Sequence, residues 1–81
     1  MAHAVEGEKV WLGSVSVCDV CKTVLGSAFV DGRISGRTCW AIMCPPCHAE
    51  IGVGLGTGRG QFYVRRGKDE AGKDRWVKIG G

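Results

Sequence analysis

Five cysteines stand in an 81-residue chain, and four of them form two matched pairs. Cys18-Asp19-Val20-Cys21 and Cys44-Pro45-Pro46-Cys47 give C-x2-C, 22 residues, then C-x2-C. Two residues between thiols let one tight turn aim both sulfurs at one point. Two such turns complete a tetrahedron around an ion. The spacing therefore predicts a tetrathiolate site on Cys18, Cys21, Cys44 and Cys47, with one structural Zn2+ as the expected occupant. Iron fits the same cage, because ligand geometry alone does not separate the two metals.

Other chemistries for these residues fit less well. Two disulfides would use the same thiols, but an odd cysteine count leaves one unpaired, and close C-x2-C pairs are metal-like in a reducing compartment. Cys44-Pro45-Pro46-Cys47-His48 matches the c-type haem pattern yet leaves Cys18 and Cys21 unused. A thioredoxin-like pair lacks its βαβ setting. His48-Ala49-Glu50 follows the cysteine pair, whereas zinc deaminases place His-x-Glu before it. His48 is expected to hydrogen-bond a neighbouring carbonyl or sulfur or to face water, with replacement of one cysteine ligand as the alternative. Cys39, of opposite strand parity to Cys44, is expected to be a small buried apolar residue. With two histidines in the chain and no neighbouring nucleophile–base pair, no enzyme is expected.

The elements that must position these thiols are short. Fourteen glycines and scattered β-branched residues interrupt nearly every helical window. Strands are expected at Lys9 to Val17, ending in Val15-Ser16-Val17, at Ser27 to Val30, and at Thr38 to Cys44. Asp31-Gly32 reads as a hairpin turn. His48 to Ile51 has room for one helical turn. From Gly52 to Gly60 glycine occupies every second position, which lets a backbone, a ring or a ligand come close, with Trp40 or Trp76 as the expected neighbour. Phosphate cradling and an exposed partner-binding loop are the alternatives.

Gln61 to Arg66 and Arg75 to Ile79 then read as a C-terminal hairpin. Pairing Phe62 and Val64 with Val77 and Ile79 makes an expected inner face. Tyr63, Arg65, Trp76 and Lys78 are left outward, near Arg59 and Arg66. Aromatics interleaved with cations can stack bases and hold phosphates.

Charge agrees in distribution more than in amount. The formal net charge is +3, and four thiolates on a divalent ion lower it to about +1. Residues 1–50 carry Lys9, Lys22, Arg33 and Arg37 against Glu6, Glu8, Asp19, Asp31 and Glu50. Residues 51–81 carry Arg59, Arg65, Arg66, Lys68, Lys73, Arg75 and Lys78 against Asp69, Glu70 and Asp74. The metal-bearing part is acidic and the hairpin basic.

No apolar run reaches the ~18 residues of a membrane helix, and no basic stretch leads into an apolar leader, so a cytoplasmic protein without membrane contact is expected. The reading is a flexible tail at 1–7 and one domain at 8–81: a small metal-stabilised β-rich fold, zinc-ribbon or zinc-knuckle-like, with an additional C-terminal β-hairpin. A chain this short buries only about 60% of its unfolded surface, which is why a metal staple fits it.

Cys18-Asp19-Val20-Cys21, Phe29-Val30-Asp31-Gly32, Trp40 through His48 and Gly52 through Gly60-Gln61 resemble small zinc-finger-like proteins of tailed phages and prophages. The resemblance spans about residues 18 to 63. It implies a zinc-stabilised β-rich miniprotein in a host cytoplasm and no activity. Two functions remain open. One is a non-enzymatic module contacting nucleic acid through Arg59, Tyr63, Arg65, Arg66, Trp76 and Lys78. The other is a module that binds and modulates a host protein through the glycine segment and Trp40.

Overall fold

The computed structural model describes residues 9–11 and 14–81; the expected tail at 1–7 lies outside them. Four strands, β1 (Ala28–Arg33), β2 (Trp40–Met43), β3 (Gly60–Lys68) and β4 (Asp74–Gly80), and one helix, α1 (Pro45–Ile51), follow in the order β1-β2-α1-β3-β4. The strands form one antiparallel sheet in the order β2-β1-β3-β4. The C-terminal hairpin is thus not a separate appendage, because β3 pairs along β1 from Ala28↔Val64 to Gly32↔Gly60.

Asp31-Gly32 lies inside β1 rather than at a turn. The turn falls at Ile34 to Arg37, where the Arg37 amide donates to the Ile34 carbonyl (3.0 Å) and Gly36 takes φ 76°. Gly32 has a different task. A side chain there would press on Met43, Val30 and the Arg59 carbonyl. Gly60, its partner in β3, is equally closed in by the Gly54 carbonyl. The two glycines leave a bare stretch of sheet into which the backbone of the 52–60 segment settles. Close backbone approach is therefore real, but the nearest neighbours are His48, Val30, Gly32 and Gly54, not Trp40 or Trp76.

The other sheet face carries an aromatic core. Phe29 and Tyr63 are cross-strand partners with rings stacked at 5.1 Å, and Trp76 and Trp11 meet Phe29 edge-on at 5.0 and 5.4 Å. Offset and edge-on pairs of this kind add to plain area burial. Cys18 and Leu25 complete the buried cluster. The strand expected over Lys9 to Val17 is reduced, among the described residues, to isolated bridges at Val10↔Val77 and Val17↔Val24.

Candidate metal centre

The first cysteine pair sits at the tip of a narrow ribbon. Its rungs are the Leu25 amide to the Ser16 carbonyl and the Cys18 amide to the Thr23 carbonyl, both 2.9 Å. The chain reverses through Asp19 and Val20, and the Lys22 amide donates to the Cys18 carbonyl at 3.0 Å. Lys22 must take φ 63° to do so, a left-handed conformation that costs a side-chain-bearing residue about 1–2 kcal/mol. The Val20 amide points at Cys18 Sγ, 3.4 Å away.

The second pair sits at the start of a helix rather than in a second isolated tight turn. Cys44 is the N-cap of α1 with Pro45 and Pro46 in its first turn, and Cys47 lies one turn on. Proline supports this placement: its fixed φ suits the first helical positions, where no amide partner is required. The Cys44 carbonyl accepts from the His48 amide at 3.0 Å. Asp19 joins the halves. Its amide donates to the Ile42 carbonyl (2.7 Å) and its Oδ2 accepts from the Ile42 amide (2.9 Å). The ribbon tip is thereby clasped to the edge of β2, two residues before Cys44.

The four sulfurs of Cys18, Cys21, Cys44 and Cys47 lie within 4.8 Å of one another. Cys21 Sγ and Cys44 Sγ are 3.7 Å apart, far beyond a disulfide at ~2.05 Å. They match the ~3.8 Å edge of a tetrahedron with metal–sulfur bonds of ~2.3 Å. All five cysteines are free thiols. Electrostatics point the same way. Burial works against ionising Cys18, but amides from Cys21, Cys44 and Val20 outweigh it and pull the thiol down to about 6. Hydrogen bonds from Thr23 lower Cys21. Cys47 is driven upward, first by its contact with Cys44, then by burial and the sulfurs of Cys21 and Cys18. Cys18 and Cys21 are thus drawn toward the thiolate and Cys47 away from it, and a divalent cation among the sulfurs would favour thiolates. The donor set therefore fits a metal ion.

His48 is not among the clustered ligands. Its Nε2–H donates to the Gly54 carbonyl at 3.0 Å, tying α1 to the glycine segment as a neighbouring-carbonyl contact. Cys39 is exposed rather than buried: it precedes β2, where the Ile34 amide takes its carbonyl at 3.2 Å, so strand parity does not govern it. Thr23, Asp19 and Lys22 escaped the sequence reading. An acceptor directly after the first cysteine was the one available signal, since nothing local foretold a lysine in the left-handed region.

The hairpin residues need a correction. Tyr63, Arg65, Trp76 and Lys78 do share a face, but it is the face that carries the core. Trp76 is 3% exposed and Tyr63 is packed between Phe29 and Trp11. The expected inner residue Ile79 is instead exposed, because a register shift between Phe62 and Tyr63 throws it out of the ladder. Alternation could not disclose which face the ribbon covers. Arg65 lies over the Trp76 ring, 5.9 Å from its centre, and 3.6 Å from Asp74. Arg66 is exposed and Lys78 half-buried. Arg59 precedes β3, about 20 Å of strand from Arg65.

No protein-family model, curated protein or solved structure matches the chain. Among the described residues no helix is long and apolar enough to cross a membrane.

Proposed function

We propose that this chain is a non-enzymatic binding module, folded around one structural Zn2+, that touches nucleic acid with the projecting end of its β3–β4 hairpin. The four-sulfur cluster carries the metal half of this reading. The hairpin carries the other half. Beyond Val64, the last β3 residue paired to β1, it runs on with Arg65, Arg66, Lys68, Lys73 and Arg75 against Asp69, Glu70 and Asp74. With Tyr63 and Trp76 in the core, this arm offers charge to phosphates, not rings to bases.

The test is binding of zinc-loaded protein to a labelled DNA duplex across a salt series. Affinity should fall steeply with salt, and Arg66→Ala should flatten the slope by about 1. Salt-independent binding, or none, refutes the arm. A second reading, docking on a host protein, has one observation in its favour: Val24, 75% exposed, pairs with exposed Val17 on the metal ribbon.

A further inference from the structure

We infer that a second nucleic-acid contact lies at the opposite end of the sheet, where Trp40, Arg33, Arg37 and Arg59 form a platform for an unpaired base and its phosphates. It takes its class of partner from the reading above but does not depend on the arm. Trp40 is 42% exposed, the only one of the three tryptophans that is. It begins β2 and pairs across the ladder with Arg33, which places both on one face with Cβ atoms about 5 Å apart.

Arg33 is held in place by backbone. Its Nε donates to the Gly58 carbonyl (3.2 Å), its Nη1 to the Arg37 carbonyl (3.3 Å), and its own amide to the Arg59 carbonyl (2.8 Å). One guanidinium thus stitches the β1–β2 turn to the glycine segment, and the backbones of Arg33, Arg37 and Arg59 meet at one end. Neutral carbonyls fix its position without cancelling its charge. None of the three arginines has a carboxylate partner among the described residues. Asp31 shares the face of Arg33 two residues away, and Glu50 on α1 is exposed, yet neither pairs with them. Three arginines without carboxylate partners, at the same end of the sheet as an exposed indole, suit phosphate plus a base face, and stacking accepts any base. A duplex hides its base faces, so this end selects single strands.

The experiment titrates zinc-loaded full-length protein with an oligothymidylate and with a duplex of equal length. The expected result is that Trp40→Ala weakens single-strand binding roughly 5- to 150-fold, the range of one lost stack. Trp40→Phe should restore most of it, and Arg37→Ala and Arg59→Ala should lower the salt slope. Duplex binding should be little changed by Trp40→Ala. Unchanged tryptophan emission on adding the single strand, or equal affinity of wild type and Trp40→Ala, overturns the platform. If Arg66→Ala alone weakens binding, the arm stands and the platform falls. If Trp40→Ala alone does, the reverse holds. Binding of neither nucleic acid refutes both, and passes the surface to a protein partner. Circular dichroism of each variant checks that the fold is kept.

Discussion

Gly52 shows how one residue without a side chain can set the site's geometry. It caps α1, and its amide donates to the His48 carbonyl at 2.8 Å. A Cβ there would collide with the His48 ring and crowd the His48 carbonyl at 2.7 Å. That ring cannot swing away freely, because its Nε2–H is spent on the Gly54 carbonyl. Gly52→Ala should therefore destabilise the protein by about 1–3 kcal/mol, the usual range for overpacking. In a domain of this size each kcal/mol shifts the melting temperature by roughly 4–8 °C. Gly26→Ala is the matched control: a Cβ there meets nothing within 4 Å. It should stay within about 0.5 kcal/mol of wild type. Equal melting of the two variants would mean that the His48 ring yields without cost.

At the scale of elements, β1 carries its own contradiction. It is flanked by β2 and β3, yet it holds Asp31 between Ile42 and Gln61 on the aromatic face. Burial pushes the Asp31 carboxyl above its ordinary value. Burial also raises the Tyr63 phenol, and the Asp31 charge adds to it. The sign follows from linkage. An acid raised in the folded state favours folding when protonated, so its charged form opposes folding at every pH above the folded value. Asp31→Asn should therefore melt higher than wild type at pH near 7.5, with the advantage shrinking as pH falls into the carboxylate range. Tyr63 is the only tyrosine in the chain, so phenolate absorbance reports it alone. Its midpoint should drop in Asp31→Asn yet stay above the ordinary ~10. A lower melting point with an unmoved phenol would show that Asp31 is stabilising where it lies. The same strand marks where legibility ended. Strands close to β1 to β4 were readable from alternation, although Asp31-Gly32 misplaced the turn after β1, and the cysteine spacing announced the four thiols. Which sheet face is buried was not readable, because Tyr63 and Trp76 alternate with Phe62, Val64 and Val77, and both sets are apolar. The ribbon that decides the matter, residues 16–25, is held by two backbone rungs and leaves no periodic trace.

Among the described residues the molecule is a sheet whose aromatic core is closed by the cysteine ribbon, and Cys18 belongs to both. It is fully buried against Leu25, Phe29 and Trp76 while its sulfur faces three other cysteines. Without a cation, the ribbon would rest on its few rungs, the Asp19 clasp and a strained Lys22, while four sulfurs crowd within 4.8 Å. Metal binding to such cages is worth roughly 10–16 kcal/mol in apparent terms at pH 7, which exceeds the net stability of many domains of this size. If the cage holds Zn2+ as proposed, losing the ion should open the aromatic core as well as the ribbon, because Trp76 and Phe29 would lose their cover. Chelation of one equivalent of Zn2+ should abolish the near-ultraviolet dichroism of the tryptophans, and readdition should restore it. Acid should do the same as the thiolates take up protons. Cys18→Ser should behave as the chelated protein does, and Cys39→Ser, at an exposed position outside the cage, as the wild type. A chelated form that keeps its tryptophan signal and melts where the loaded form does would show that the sheet stands without the staple.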